Sequence, residues 1–197
     1  MKIIYTLGIL LIFMSLISCT ITPTSSENHY MSWHKRQKQL NGLTNWKLKS
    51  VVSIKESKQH TILHAYWQQL INEYMINITS QFNVGGIKIA GDANQVTLWR
   101  SNTNKVIAKN PENLIYNELG WTLPLSNLKY WILGLPAPNL NHNSKFDRYN
   151  HLTYLEQQNW RINYTNFISI KNIDLPTTIL LSNNNLQIKI IIKQWDF

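Results

Sequence analysis

The chain has 197 residues, one cysteine and a formal charge of +9, from 19 Lys and Arg against 10 Asp and Glu; 44% of its residues are hydrophobic. One cysteine excludes an internal disulfide framework, and the length suits one domain with a real core. A positive balance suits an anionic membrane surface or acidic partners, but abundant Lys, Asn and Ile also follow from genome composition, so charge alone decides little.

The chain opens with Lys2 and an apolar run from Ile3 to Ile17, interrupted only by Thr6, Gly8 and Ser15. A bilayer span needs roughly 20 apolar residues, so this shorter run reads as a secretory signal peptide over residues 1–18. Leu16-Ile17-Ser18-Cys19 is similar to the lipobox of bacterial lipoproteins, which implies cleavage before Cys19 and its lipidation. The competing reading is an ordinary signal peptide that happens to contain a cysteine. Thr20 is not the aspartate that retains bacterial lipoproteins in the inner membrane, so that resemblance sends the protein to the outer membrane. Residues 19–28, with Pro23 and Ser25-Ser26, are polar and predict a lipidated amino terminus on a flexible tether. Residues 29–197 are then the folded domain.

Trp33 to Leu43 predicts a helix, with Trp33, Leu40 and Leu43 near one face and Lys35, Arg36 and Lys38 on others. In Trp46–Lys55, Trp46, Leu48, Val52 and Ile54 share one side of a strand, and Lys47, Lys49 and Lys55 the other. Thr61–Gln69 continues in phase with Leu63, Ala65 and Trp67. Tyr74, Ile76 and Ile78 form a third strand face, Ile87 and Ile89 a fourth, Val96 and Leu98 a fifth. Short connections predict antiparallel pairing. The period then changes. Asn110-Pro111-Glu112 starts a helix with Leu114, Ile115 and Leu119 inward and Gly120 at its end, and a second helix runs from about Leu125 to Leu133, closed by Gly134 and Pro136. Strands return at 159–167, 177–181 and 186–195, the last two joined by Ser182-Asn183-Asn184-Asn185. The predicted fold is mainly β (α+β): one long antiparallel sheet of roughly ten strands, a size that usually curls rather than staying flat, with a few short helices on its concave side.

Catalytic chemistry is hard to find. His60 and His64 fall in a strand pattern, where four residues span roughly 13 Å, too far for shared metal ligation. The nucleophile-elbow, phosphate-loop and zinc-helix motifs are missing from the sequence, and the carboxylates are scattered singly. Basic residues among aromatics are the pattern that would suggest nucleic acid, which an exported, lipid-anchored chain does not meet. A binder is expected, with no catalytic residue, metal or cofactor. What stands out is eight Trp and nine Tyr. Most belong in a core, yet large rings pack loosely where a sheet folds over itself, and a half-barrel lined with them leaves apolar space.

At Thr122–Pro136, "TLPLSNLKYWILGLP", the chain resembles the LolB family, the outer-membrane lipoprotein receptors of Gram-negative bacteria. Pro124, Leu125, Leu128, Trp131, Ile132, Gly134 and Pro136 carry the match, supported by Trp33, "YWQQ" at 66–69, "NWRINYTNF" at 159–167 and "LQIKIIIKQW" at 186–195. The resemblance covers about residues 33–197. It implies an open, incomplete antiparallel β-barrel with short helices covering an apolar cavity, and a protein that accepts acylated lipoproteins from the soluble periplasmic carrier LolA and inserts them into the inner leaflet of the outer membrane, without nucleotide. A monomer anchored on the periplasmic face is expected. Trp46, Leu48, Val52, Trp67, Ile76, Ile78, Ile87, Ile89, Leu128, Trp131 and Ile132 are the residues expected in the core or the acyl-chain cavity. The connection between the third and fourth strand faces carries Phe82 and Val84, apolar where turns are usually polar. Phe82 falls where the family carries an exposed leucine implicated in inserting cargo into the membrane, so the resemblance makes Phe82 and Val84 the membrane-insertion loop; the competing reading folds Phe82 back onto the domain as a hydrophobic plug. The alternatives are a structural or interaction lipoprotein with a packed barrel, and a carrier of another amphiphile.

Overall fold

The computed structural model describes residues 30–57, 59–80, 86–101 and 103–197. Cys19, Phe82 and Val84 lie outside these, so neither the lipid anchor nor the insertion loop can be placed.

Eleven strands form one antiparallel sheet: β1 (Asn45–Glu56), β2 (Gln59–Leu70), β3 (Glu73–Ser80), β4 (Gly86–Gly91), β5 (Val96–Trp99), β6 (Lys105–Ala108), β7 (Asn143–Phe146), β8 (Leu152–Gln157), β9 (Trp160–Ile170), β10 (Ile173–Ser182) and β11 (Leu186–Asp196). Their order is β6-β5-β4-β3-β2-β1-β11-β10-β9-β8-β7. Two meanders are therefore sewn together where the first strand pairs with the last, from Lys47–Asp196 to Glu56–Leu186. The outermost strands, β6 and β7, do not pair with each other, so the barrel stays open.

That topology dictates where the helices go. The chain leaves β6 at one edge and must reach β7 at the other, so the segment between them crosses the sheet. It carries α2 (Pro111–Leu119) and α3 (Leu125–Trp131), while α1 (Trp33–Asn41) precedes the sheet. Asn110 caps α2 as expected, its Oδ1 accepting from the Asn113 N–H at 2.8 Å, and Gly120 ends it at φ +77°. Glu112 ties the two helices together by accepting from the Ser126 N–H at 2.9 Å.

Alternation sets the faces. Lys47, Lys49 and Lys55 of β1 are exposed, while Trp46, Leu48 and Ile54 are buried. On β11 the alternation breaks: Lys49 pairs with Gln194 but Ser50 with Ile192, so Lys193 is an extra, bulged residue. The bulge returns Trp195 to the inner face, where it meets Trp46 edge-on at 5.6 Å.

The roughly ten strands expected are eleven, with short β6, β7 and β8 joining those read from alternation. Two expectations change. The helices end earlier, α1 at Asn41 and α3 at Trp131. And Arg36, expected on a polar face of α1, is 2% exposed. Its guanidinium is buried because charged and polar partners meet it there: Nη1 donates to Asp174 Oδ2 at 2.9 Å and Nη2 to the Tyr149 carbonyl at 3.2 Å.

Candidate functional site

The two meanders pack differently under the helical crossing. Toward β8–β10 the interior is filled: Leu155, Ile162, Leu175 and Ile179 have no exposed surface, and Trp131 packs near Trp160 at 6.3 Å. Toward β1–β4 a cavity of about 90 Å³ remains. Its floor is the inner face of the sheet: Leu48, Ser50, Val52 and Ile54 of β1, Leu63, Ala65 and Trp67 of β2, Ile76 and Ile78 of β3, and Ile89 of β4, with Leu181, Ile188 and Ile190 from β10 and β11. Its roof is Ile115 and Leu119 of α2, Trp121 and Leu123 of the link, Leu125 and Leu128 of α3, and Ile132. Among the described lining residues Ser50 is the one polar side chain, and it turns its hydroxyl to the Ala65 carbonyl across the strand pair, at 3.4 Å. The wall it leaves is hydrocarbon.

Of the residues expected here from sequence, Leu48, Val52, Trp67, Ile76, Ile78, Ile89, Leu128 and Ile132 meet around this one void. Three do not. Trp46 is core, wedged between Trp67 at 5.2 Å and Trp195. Ile87 is half-buried and packs against the core. Trp131 points to the filled side, its Nε1 donating to Gln157 Oε1 at 2.8 Å while its carbonyl accepts from the Tyr164 hydroxyl at 2.9 Å. A tryptophan with both polar groups committed to the scaffold is a fastener. Trp121 and Leu123 were not anticipated as lining residues. Their only signal was a period-two pair between two helices, too short to read.

A second pocket, of about 270 Å³, adjoins the apolar void and shares Trp67 and Leu125 with it. It sits where the end of β2, the start of β3 and the end of β4 face the starts of α2 and α3. Tyr74 and Gly91 are cross-strand partners there, and the Tyr74 ring lies directly over the glycine. A Cβ on Gly91 would come within 2.6 Å of the Tyr74 hydroxyl. Burial, helped by the nearby Glu112 and Asp92 carboxylates, pushes the Tyr74 phenol up to about 12. Among the described residues no group of three His, Cys, Asp or Glu could hold a metal. Of the two histidines weighed above, His60 meets the Ser53 hydroxyl at 2.7 Å on the exposed side of the sheet.

The family model described as "Outer membrane lipoprotein LolB" matches residues 44–195. The chain belongs to the LolB family. An outer-membrane lipoprotein LolB of Coxiella burnetii (strain RSA 493 / Nine Mile phase I) is 36% identical over 99% of this chain and 94% of its own length. Its namesake in Pseudomonas fluorescens is 31% identical, covering 83% of this chain and 80% of its own. The fold is shared more widely. A crystal structure of a LolA superfamily protein from Nitrosomonas europaea superposes with a TM-score of 0.57 at 8% identity, over 85% of this chain and 94% of that one. At that identity the likeness is one of architecture alone. No helix among the described residues is long and apolar enough to cross a membrane.

Proposed function

We propose that this LolB-family chain is the outer-membrane acceptor of lipoproteins: it takes them from a LolA-like periplasmic carrier, shelters their acyl chains under α2 and α3, and passes them to the inner leaflet. It works by binding, without catalysis. In this reading Cys19 carries the anchor on the tether of residues 19–28, residues 29–197 are the binding domain, and Phe82 with Val84 engages the bilayer.

The observation that carries it is a void walled by hydrocarbon beneath a roof of two short helices. Each methylene moved out of water is worth about 0.8 kcal/mol, so acyl chains cross an aqueous gap only inside such a wall. The void of about 90 Å³ is smaller than the roughly 150 Å³ that holds one benzene ring. A void of that size does not admit acyl chains, so loading requires α2 and α3 to lift. With no energy source the transfer runs downhill, each tenfold step in affinity being about 1.4 kcal/mol. This chain must therefore hold the cargo more tightly than the carrier and less tightly than the bilayer.

The test mixes LolA carrying a radiolabelled lipoprotein with liposomes bearing the full lipidated chain. Label should leave the carrier and enter the liposomes only when the chain is present. Label that stays on LolA would refute the proposal.

A further inference from the structure

The pocket beside the void carries three polar atoms that the fold leaves without work. Trp67 and Gln69 are each 5% exposed. Trp67 Nε1, Gln69 Oε1 and the Tyr74 hydroxyl are buried and have no hydrogen-bond partner among the described residues. Gln69 is fixed in place, because its Nε2 donates to the Ile71 and Glu73 carbonyls at 3.1 Å each. Its carbonyl oxygen is therefore an acceptor fixed in place, covered and without a partner among the described residues. Leaving a buried polar group unpaired is costly, and a cluster of three beside one pocket is the pattern of a site waiting for its ligand.

The chemistry of the set is specific. Trp67 can only donate, Tyr74 can donate, and Gln69 Oε1 can only accept. Lys109 and Lys129 line the pocket with Asp92, and Glu112 acts on Tyr74 from nearby, so the charges balance. Such a seat suits an uncharged ligand with carbonyl acceptors and one N–H. The pocket also shares Trp67 with the apolar void, so the same ligand should continue into hydrocarbon.

We propose that this pocket seats the polar junction of an acylated amino-terminal cysteine. Its ester carbonyls accept from Trp67 Nε1 and Tyr74, its amide N–H donates to Gln69 Oε1, and its chains run on into the void. The inference rests on the acceptor reading above and adds to it where the head of the cargo lies. The pocket is a seam between strand ends and the starts of α2 and α3, so the lift that admits the chains also uncovers the three atoms.

The experiment uses the full lipidated chain in liposomes and photo-crosslinking lipopeptides built on diacylglyceryl-cysteine. One probe carries its diazirine beside the ester and amide groups, a second at the methyl end of an acyl chain. The junction probe should label the Trp67–Tyr74 stretch or Lys129, and the tail probe the walls near Ile78 or Ile188. In Tyr74→Phe the concentration for half-maximal junction labelling should rise about 5- to 10-fold, one hydrogen bond's worth. Its melting temperature should not fall, since the lost hydroxyl had no partner. Unchanged junction labelling in both Tyr74→Phe and Trp67→Phe overturns the seat. Equal labelling of the pocket by a diacylglycerol probe, which has esters but no N–H, overturns its assignment to acylated cysteine. Failure of every probe to label the concave side would bring down the acceptor reading, and this inference with it.

Discussion

Gln157 holds Trp131 by its indole, accepting from Nε1 at 2.8 Å, and the same Oε1 accepts from the Ala137 N–H at 2.9 Å. Its Nε2 donates to the Ala137 carbonyl at 3.0 Å. One glutamine, 2% exposed, thus pins the end of α3 and the segment after it to β8. Gln157→Leu strands three buried polar groups, at about 1–3 kcal/mol for each one left unpaired. We expect a loss of about 3–5 kcal/mol in urea unfolding, with the apolar void itself unaltered. A loss below about 1 kcal/mol would mean the fastener is dispensable.

Asp174 is the hub of a second buried fastener, joining α1 to β10 and to His151. Its Oδ2 lies 2.9 Å from both Arg36 Nη1 and His151 Nε2, and His151 Nδ1 meets Asp147 Oδ2 at 2.8 Å. Burial alone would raise the Asp174 carboxyl, but hydrogen bonds from His151, Arg36 and Ser169 and the Arg36 charge outweigh it and hold the group at about 2. A carboxylate so lowered stabilises the fold above its unfolded value near 3.9 and loses that contribution as pH falls through about 2. Denaturant midpoints should therefore decline between about pH 4 and 2. Asp174→Asn should be less stable at pH 7 by about 3–5 kcal/mol, the cost of breaking the buried ion pair with Arg36, and should show a flatter decline below pH 4. An unchanged acid limb in the variant would place the titrating group elsewhere.

How much of this could be read from sequence follows the strength of local signals. Long strands with a sustained apolar face, such as β1 and β11 up to its bulge, and the Asn110-Pro111…Gly120 helix announce themselves. The β8–β9 and β9–β10 turns do not. Gln158-Asn159 and Lys171-Asn172 both take positive φ, at 50° and 64° and at 51° and 62°, the geometry for which glycine is the usual marker. Without glycine the hairpins blur, so β8 goes unseen and β10 is read as starting four residues late. The site shows the same divide. Period-two patterns find an inner face, but whether Trp46 or Trp67 meets the void depends on which side the helical crossing fills. Arg36 was misread because its partners are 113 and 138 residues away.

The Tyr74–Gly91 pair makes a steric prediction. A methyl on Gly91 would sit 2.6 to 2.9 Å from the hydroxyl oxygen and two carbons of the Tyr74 ring, so the ring must leave. Gly91→Ala should cost about 1–3 kcal/mol, the usual range for overpacking. If the ring is the whole cause, Gly91→Ala should cost far less when Tyr74 is already Ala. Additive losses in this double-mutant cycle would show that the backbone, not the ring, resists the methyl.

The void can be closed from its own floor. Ala65 is the smallest lining side chain among branched and aromatic ones. Ala65→Phe should fill the space at a cost of about 1–3 kcal/mol in stability while abolishing saturable uptake of a fluorescent fatty acid. Uptake at wild-type strength in a folded variant would mean that hydrocarbon is held elsewhere.

Release is a separate step from acceptance, and the proposed roles of Phe82 and the void divide it accordingly. Burying a phenylalanine side chain is worth about 1.5–3 kcal/mol, a gain that bilayer hydrocarbon can supply as well as a protein core. Glutamate at that position would instead have to carry a charge toward lipid, at a cost well above that gain. In the proposed division of labour the void, not position 82, accepts the acyl chains, so the substitution leaves acceptance intact. Phe82→Glu should therefore strip labelled lipoprotein from LolA at the wild-type rate yet keep it bound, with little label reaching the liposomes. Normal delivery by this variant would remove residue 82 from the mechanism, whereas failure already at the uptake step would place it at the contact with the carrier.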